Sequence, residues 1–193
     1  MPRVVVLAGI NGAGKTTASR DLLVNVLKIP VFTNADAIAR GLNSLNPESE
    51  AFRAGRIMLD WMRDLVDQRR DFAFETTLSA RTYAPWLAGM KKSGYEVHLY
   101  YYWLRSAEFA LARVALRVRS GGHHIPDANV LRRYGRSVKN FLELYRGLAD
   151  IWEVFDNTDG DRTLLAIGDT KQHLVDSDET WEAFLRSADH ANR

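Results

Sequence analysis

A glycine-rich segment near the start of the chain has the residue types and spacing of a phosphate-binding loop. It reads Gly9-Ile10-Asn11-Gly12-Ala13-Gly14-Lys15-Thr16 and fits G-x-x-x-x-G-K-[ST] at each fixed position. Glycines let the backbone N–H groups point at phosphate oxygens, the lysine reaches the β- and γ-phosphates, and the threonine hydroxyl ligates Mg²⁺. The spacing does not fit the dinucleotide pattern G-x-G-x-x-G. The segment therefore predicts ATP or GTP, with Mg²⁺, as cofactors.

The expected nucleotide-binding residues belong to this loop and to the start of the following helix. They are Gly9, Asn11, Gly12, Ala13, Gly14, Lys15, Thr16 and Thr17. Lys15 is also an expected catalytic residue, because it would reach the phosphate that is transferred.

Two acidic residues follow predicted strands, at the sheet edge where open α/β folds bind ligands. Transfer of phosphate to a hydroxyl needs a carboxylate that orients the hydroxyl and accepts its proton, and we expect Asp36 to do this. The alternative is that Asn34 or Asp36 caps the next helix. Glu75 ends the third strand, where it could hold Mg²⁺ through water, bind substrate hydroxyls or simply be solvated.

Short polar residues next to these acids suit contacts with a polar substrate. Thr76 and Thr77 offer hydroxyls directly after Glu75, whereas Ser79 could equally cap a helix. The expected substrate-binding residues are Asn34, Asp36, Arg40, Glu75, Thr76 and Thr77, and the expected metal-binding residues are Thr16 and Glu75.

A loop with paired glycines and a proline separates two predicted helices rich in arginine. The segment Gly121-Gly122-His123-His124-Ile125-Pro126 cannot continue a helix, which predicts a lid over about residues 119–133. Its arginines would neutralise charge on the transferred group, and its closure would exclude water. Alternatively, they form solvated helix faces. The flanking arginines are Arg113, Arg117, Arg119, Arg132, Arg133 and Arg136.

The expected catalytic set is drawn partly from this lid. It comprises Lys15, Asp36, Arg117, Arg119, Arg132 and Arg133. His123 and His124 are adjacent and have neither a third ligand nor a cysteine nearby, so we expect polar lid contacts from them and no zinc site.

Apolar runs alternate with helix-periodic stretches, which is typical of a parallel sheet covered on both faces. The pattern predicts strands over residues 4–8, 31–33, 72–75, 97–104 and 152–156, and helices over 15–27, 35–42, 47–67, 80–92, 106–119 and 127–149. A hairpin over 163–167 and 171–175 and a helix over 178–185 would follow. The run Tyr100-Tyr101-Tyr102-Trp103 is expected in a buried strand and not in base stacking.

These elements predict an α/β fold, a three-layer P-loop NTPase sandwich with a parallel five-stranded sheet. Residues 1–193 would form one kinase domain, with a small C-terminal hairpin and helix over about 160–188. A formal charge of +2 favours neither a nucleic acid nor a membrane as partner. The absence of cysteine excludes disulfides and thiolate metal sites, and the lack of a signal or spanning segment predicts a cytoplasmic location.

The phosphate loop, Asn34-Ala35-Asp36, Phe74-Glu75-Thr76-Thr77-Leu78-Ser79 and the lid segment together resemble the zeta-toxin family of P-loop kinases. The resemblance extends from the first strand to about Asn157, and it implies a nucleoside-kinase-like fold, ATP with Mg²⁺, and phosphorylation of a sugar hydroxyl, as on UDP-N-acetylglucosamine. It also implies an antitoxin protein as a candidate partner.

By matching motif, the resemblance makes Lys15 the phosphate-binding lysine, Thr16 the magnesium ligand and Asp36 the base, with Glu75 and Thr76 on the substrate side. It does not choose between Arg117 and Arg119, or between Arg132 and Arg133. Two other readings stay open. One is a metabolite or antibiotic kinase with the same fold, and the other is an NTP-binding regulatory or nucleic-acid-end-processing protein, which the small net charge disfavours.

Overall fold

Seven strands form one sheet in the computed structural model, which describes residues 1–122 and 124–192. His123 and the contacts expected from it therefore lie outside the described residues. In chain order the strands are β1 (Arg3–Gly9), β2 (Phe32–Thr33), β3 (Phe72–Thr76), β4 (Glu96–Trp103), β5 (Ile151–Asp156), β6 (Thr163–Gly168) and β7 (His173–Val175). Their order in the sheet is β2-β3-β1-β4-β5-β6-β7.

Helices connect the strands close to where the periodicity predicts them. The α-helices are α1 (Lys15–Arg20), α2 (Ala35–Leu42), α3 (Ala51–Asp67), α4 (Tyr83–Lys92), α5 (Ala107–Arg119), α6 (Asp127–Asn140) and α7 (Asp178–Arg186). The π-helical segments Asp21–Val26 and Phe141–Tyr145 continue α1 and α6, and the 3-10 segments are Pro47–Glu50 and Ser187–Asn192.

Five adjacent strands of the sheet, in the order β2-β3-β1-β4-β5, are parallel to one another. Apolar side chains cover both faces of this part of the sheet. One core cluster contains Val4, Phe74 and Trp103, and the other contains Val5, Leu7 and Tyr102. Because side chains alternate between the faces of a strand, these clusters are the two interfaces of a helix–sheet–helix sandwich. The α/β sandwich expected from the sequence is confirmed.

The prediction of a five-stranded sheet is wrong. The C-terminal hairpin joins the main sheet, since β6 pairs antiparallel with β5 and β7 pairs antiparallel with β6. The pairing satisfies backbone groups that β5 would otherwise expose at an edge. It also extends the core, where Trp181 and Phe184 of α7 pack with Trp152 of β5.

The aromatic run from Tyr100 to Trp103 is confirmed as a buried strand. It belongs to β4, which lies between β1 and β5, and each of its four side chains is at most 5% exposed. No helix within residues 1–122 and 124–192 is long and apolar enough to cross a membrane.

The order of the strands determines which loops meet at the carboxyl edge of the sheet. β1 lies beside β3, with Leu7 opposite Glu75, and β2 lies on the other side of β3, with Thr33 opposite Phe74. The phosphate loop after β1, Asn34 after β2 and the end of β3 are therefore neighbours in space.

Candidate active site

The phosphate loop has a backbone that only glycine suits at two tightly packed positions. Gly9 and Gly14 have φ of 132° and 80°. A Cβ on Gly9 would lie 2.0 Å from the carbonyl oxygen of Tyr102, and one on Gly14 would lie 2.6 Å from Asn157 Nδ2. The Asn157 amide also donates to the Ala13 carbonyl at 2.8 Å. Tyr102 of β4 and Asn157, directly after β5, thus hold the loop in its curled shape.

Lys15 is buried at the floor of this loop. Its Nζ donates to the carbonyls of Gly9 and Ile10, each at 2.9 Å, and lies 3.8 Å from Glu75 Oε1. Burial lowers the pKa of Lys15 below its ordinary value of 10.5, while the charges of Glu75 and Asp36 oppose that shift. The Lys15 amine thus lies against the backbone of the phosphate loop, where its protonated form can bind a phosphate.

One carboxylate oxygen of Glu75, at the end of β3, binds both the first turn of α1 and the residue that follows β2. Thr16 Oγ1 and Asn34 Nδ2 both donate to Glu75 Oε2, at 2.8 and 2.7 Å. A hydroxyl and a carboxylate this close offer the oxygen ligands that Mg²⁺ prefers, so the residues fit the metal site expected from the sequence. The described residues contain no group of three or more His, Cys, Asp or Glu suited to a metal. Phosphate and water would have to supply the other ligands.

Asn34, and not Asp36, caps α2. The Asn34 side-chain oxygen accepts hydrogen bonds from the backbone N–H groups of Asp36 and Ala37, at 2.8 and 3.3 Å. The carboxylate of Asp36 is therefore spared from capping, and it lines the cavity beside the phosphate loop. Arg40, one turn further along α2, lines the same cavity.

The last residue of β3 and the segment that follows it contribute three hydroxyl groups to the cavity wall. Thr76, Thr77 and Ser79 all line the cavity. The hydroxyls of Thr77 and Ser79 are hydrogen-bonded at 2.8 Å, and Thr76 Oγ1 accepts from the Leu78 backbone N–H at 3.1 Å. Ser79 does not cap a helix, because α4 starts only at Tyr83 and Thr82 holds the N-cap position.

The arginines flanking the lid separate into two groups. Arg117 of α5 and Arg133 of α6 line the cavity and are half-buried, whereas Arg119 and Arg132 are exposed and are not among the described lining residues. Arg132 instead donates to Asn129 Oδ1 at 2.8 Å. Burial and the neighbouring Arg132 lower the pKa of Arg133, while Asp36 opposes the shift. Arg133 is thus close enough to Asp36 for their charges to interact.

These side chains surround one cavity of about 1130 Å³. Every expected substrate-side residue lines it. Of the expected nucleotide-binding residues, Gly9 and Ala13 do not line it, and their carbonyls instead accept from Lys15 and Asn157. His124, where polar lid contacts are expected, is part of the wall.

Several wall residues have no signal in the sequence. Tyr83 begins α4 and Glu48 lies in the 3-10 segment before α3, and neither belongs to a motif. Tertiary packing, and not the local sequence, brings them to the cavity. Arg113 also lines the cavity and donates to the Thr158 carbonyl at 3.0 Å. The sequence identifies it as one of several arginines that flank the lid, without distinguishing it from the others.

Comparison of the sequence with known proteins supports the resemblance to the zeta-toxin family. The Zeta toxin family model matches residues 1–179. An uncharacterized protein of Haemophilus influenzae is 32% identical over 132 residues, which cover 68% of this chain and 92% of that protein.

Solved structures share the fold at low sequence identity. An AvrRxo1-ORF1:ORF2 complex determined with ATP matches with a TM-score of 0.75 and 16% identity, over 95% of this chain and 63% of that chain. This chain thus corresponds to less than two thirds of that larger protein. A structure from the PezAT toxin–antitoxin system of Streptococcus pneumoniae matches with a TM-score of 0.66 and 15% identity, over 100% of this chain and 86% of that one.

Proposed function

The chain belongs to the Zeta toxin family, and from this premise we propose that it is a kinase that transfers the γ-phosphate of ATP or GTP to a hydroxyl of a small molecule. The observation that carries the proposal is that one cavity wall contains Lys15, Glu75 and Asp36. Phosphoryl transfer to a hydroxyl needs a lysine that binds phosphate, an acid beside the loop threonine, and a carboxylate that is free to accept a proton. Asp36 provides this carboxylate because it does not cap α2.

On the nucleotide side, the loop N–H groups and Lys15 would bind the β- and γ-phosphates. The Thr16 hydroxyl and, through water, the Glu75 carboxylate would hold Mg²⁺. When bound, this metal neutralises charge on the phosphates and helps to orient them.

On the acceptor side, the Asp36 carboxylate would orient the hydroxyl and accept its proton as the oxygen attacks the γ-phosphorus. The bond from that phosphorus to the β–γ bridging oxygen breaks, and the nucleoside diphosphate leaves. Arg117 and Arg133, which line the same cavity, would stabilise the charge on the transferred group.

The acceptor we propose is sugar-like, with UDP-N-acetylglucosamine as the first candidate. The hydroxyls of Thr76 and Thr77 and the carboxylates of Asp36 and Glu48 give the wall donors and acceptors suited to a polyhydroxyl compound. Another metabolite or an antibiotic would satisfy the same chemistry.

We also propose that residues 1–193 form one kinase domain. We propose an antitoxin protein as a partner, since one structural neighbour comes from a toxin–antitoxin system. The cytoplasmic location stays a prediction.

The direct test is incubation of the protein with γ-labelled ATP, Mg²⁺ and UDP-N-acetylglucosamine, followed by a panel of sugars, metabolites and antibiotics. Label should appear in an organic product that chromatography separates from inorganic phosphate. If every acceptor stays unlabelled while ATP is slowly hydrolysed, the kinase proposal fails.

Glu75→Gln should raise the Mg²⁺ concentration needed for half-maximal transfer. Loss of an outer ligand group lowers metal affinity by about 10–100-fold, and the amide keeps the shape of the side chain while removing its charge. Titration of activity with MgCl₂ measures the shift, and a chelator should abolish transfer by wild type. Glu182→Gln on the exposed face of α7 is the control, and equal Mg²⁺ requirements in both variants would contradict the metal assignment.

The affinity for ATP should fall as pH rises through the lowered pKa of Lys15. The protonated ammonium attracts phosphate, so affinity is complete below that pKa and declines above it; burial places the decline below 10.5. Calorimetric titrations across pH measure the effect. In Lys15→Arg the guanidinium stays charged, so this decline should disappear even if overall affinity is lower. An identical decline in the variant would show that another group is responsible.

A further inference from the structure

The segment after β3 is attached to one helix through its backbone carbonyls. We call residues 76–80 the acceptor loop, because they provide the hydroxyls of the cavity wall. Three carbonyls of this loop accept hydrogen bonds from side chains of α6 and its π-helical continuation. The Thr77 carbonyl accepts from Ser137, the Leu78 carbonyl from Asn140 at 2.8 Å, and the Ala80 carbonyl from Tyr145 at 2.7 Å.

The loop needs such attachment because its backbone is strained. Leu78 has φ of 55°, in the left-handed region that residues other than glycine seldom adopt, and its side chain is fully buried in the core. A strained residue persists only where its surroundings determine its conformation. At Leu78, the strained backbone allows the apolar side chain to enter the core while Thr77 and Ser79, on either side of it, line the cavity.

Ser137 connects the loop with the central strand as well. Its single hydroxyl proton is donated to the Thr77 carbonyl, so its oxygen accepts from the hydroxyl of Tyr101, at 2.7 Å. Tyr101 is fully buried in β4. The loop, α6 and the middle of the sheet are thereby connected by an internal hydrogen-bond chain.

The same face of α6 carries a lid arginine. Arg133, Ser137 and Asn140 are spaced at i, i+4 and i+7, so they lie along one side of the helix. Arg133 reaches the cavity, and the other two bind the acceptor loop. The relative position of the loop hydroxyls and the guanidinium is therefore determined by a single helix.

We propose that Ser137, Asn140 and Tyr145 are positioning residues, which hold the acceptor loop in its strained shape and at a fixed distance from Arg133. None of the three lines the cavity, so they act through the loop. This inference rests on the proposed function in one respect, namely that the acceptor binds against Thr76, Thr77 and Ser79.

Tyr145→Phe is the sharpest test, because it removes the hydroxyl that donates to the Ala80 carbonyl and keeps the aromatic ring. Tyr95→Phe is a matched control: Tyr95 is equally buried, and its hydroxyl donates to the carbonyls of Arg70 and Leu65 at the opposite end of the sheet. Hydrogen–deuterium exchange of the full chain should be about fivefold faster in the acceptor loop of Tyr145→Phe, which is the factor expected from one buried hydrogen bond. Ser137→Ala should act in the same way.

Transfer kinetics provide the second readout. With UDP-N-acetylglucosamine, or whichever panel compound wild type labels, Tyr145→Phe should raise the acceptor KM about fivefold and leave the ATP KM unchanged. Equal loop exchange in Tyr145→Phe and Tyr95→Phe would overturn the inference, and so would an unchanged acceptor KM. If wild type labels no acceptor, the proposed function fails on its own, and exchange in the loop still decides whether these side chains hold it.

Discussion

Asp36→Asn should lower the rate of phosphoryl transfer by about 10²–10⁴-fold while leaving ATP affinity nearly unchanged, because a general base of this kind contributes that factor. The amide keeps the size and shape of the side chain but cannot accept the proton of the acceptor hydroxyl. Single-turnover transfer from γ-labelled ATP measures the rate, and calorimetry measures the affinity.

The local structure explains why this substitution should affect chemistry and not folding. Asn34 provides the cap of α2, so the Asp36 carboxylate holds no backbone N–H group of the helix. The thermal midpoint of Asp36→Asn should therefore stay close to that of wild type, whereas Asn34→Ala should cost about 1 kcal/mol of stability.

A second aspartate, outside the cavity, provides the control for replacing a carboxylate with an amide. Asp60 lies on the exposed side of α3, where it pairs with Arg63 at 2.8 Å. Asp60→Asn should transfer phosphate at the wild-type rate. Near-wild-type turnover by Asp36→Asn would refute the assignment of Asp36 as the base.

Arg133→Ala should slow transfer by about 10³-fold, since an arginine that stabilises the transition state of phosphoryl transfer is worth 10³–10⁵. The side chain is half-buried in the cavity wall and interacts electrostatically with Asp36. The rate should fall more than ATP affinity does, because the developing charge is greatest in the transition state.

The neighbouring arginines make natural controls. Arg132→Ala removes an exposed side chain that binds Asn129, three residues earlier on the same helix, and should leave the rate close to wild type. Arg117→Ala and Arg119→Ala allow the same comparison on α5, and we expect the larger loss of transfer rate in Arg117→Ala. Equal rates for Arg132→Ala and Arg133→Ala would indicate that these arginines belong to a solvated surface.

The phosphate loop and the strand-end acids could be located from the sequence because each depends on a few neighbouring residues. The glycines, Lys15 and Thr16 form a contiguous pattern, and Asp36 and Glu75 follow apolar runs that read as strands. Which helices surround the sheet also follows from periodicity.

The choice among the arginines depends on packing between distant segments. A periodic pattern places Arg132 and Arg133 on one helix, but only the contact of α6 with the acceptor loop shows which side faces the cavity. The same holds for the C-terminal hairpin. Its two strands could be predicted from the sequence. The pairing of β6 with β5 could not, because no residue of the hairpin indicates that β5 would otherwise be the edge strand of the sheet.

The strained residue Leu78 and the wall residues Glu48 and Tyr83 could not be predicted from the sequence for a related reason. Leucine gives no local signal for a positive φ, and Leu78 adopts it because Ser137 and Asn140, about 60 residues later, bind the carbonyls around it. α4 starts at Tyr83, and not at residue 80 as the periodicity predicts, and Tyr83 lines the cavity.

The most direct measurement of the central claim is the fate of the γ-phosphate when wild type and Asp36→Asn act on γ-labelled ATP with Mg²⁺ and a small-molecule extract containing UDP-N-acetylglucosamine. We predict that wild type places most of the label in an organic phosphate ester and that Asp36→Asn, which still binds ATP, does not. Label found only in inorganic phosphate, at the same rate in both proteins, would contradict the account.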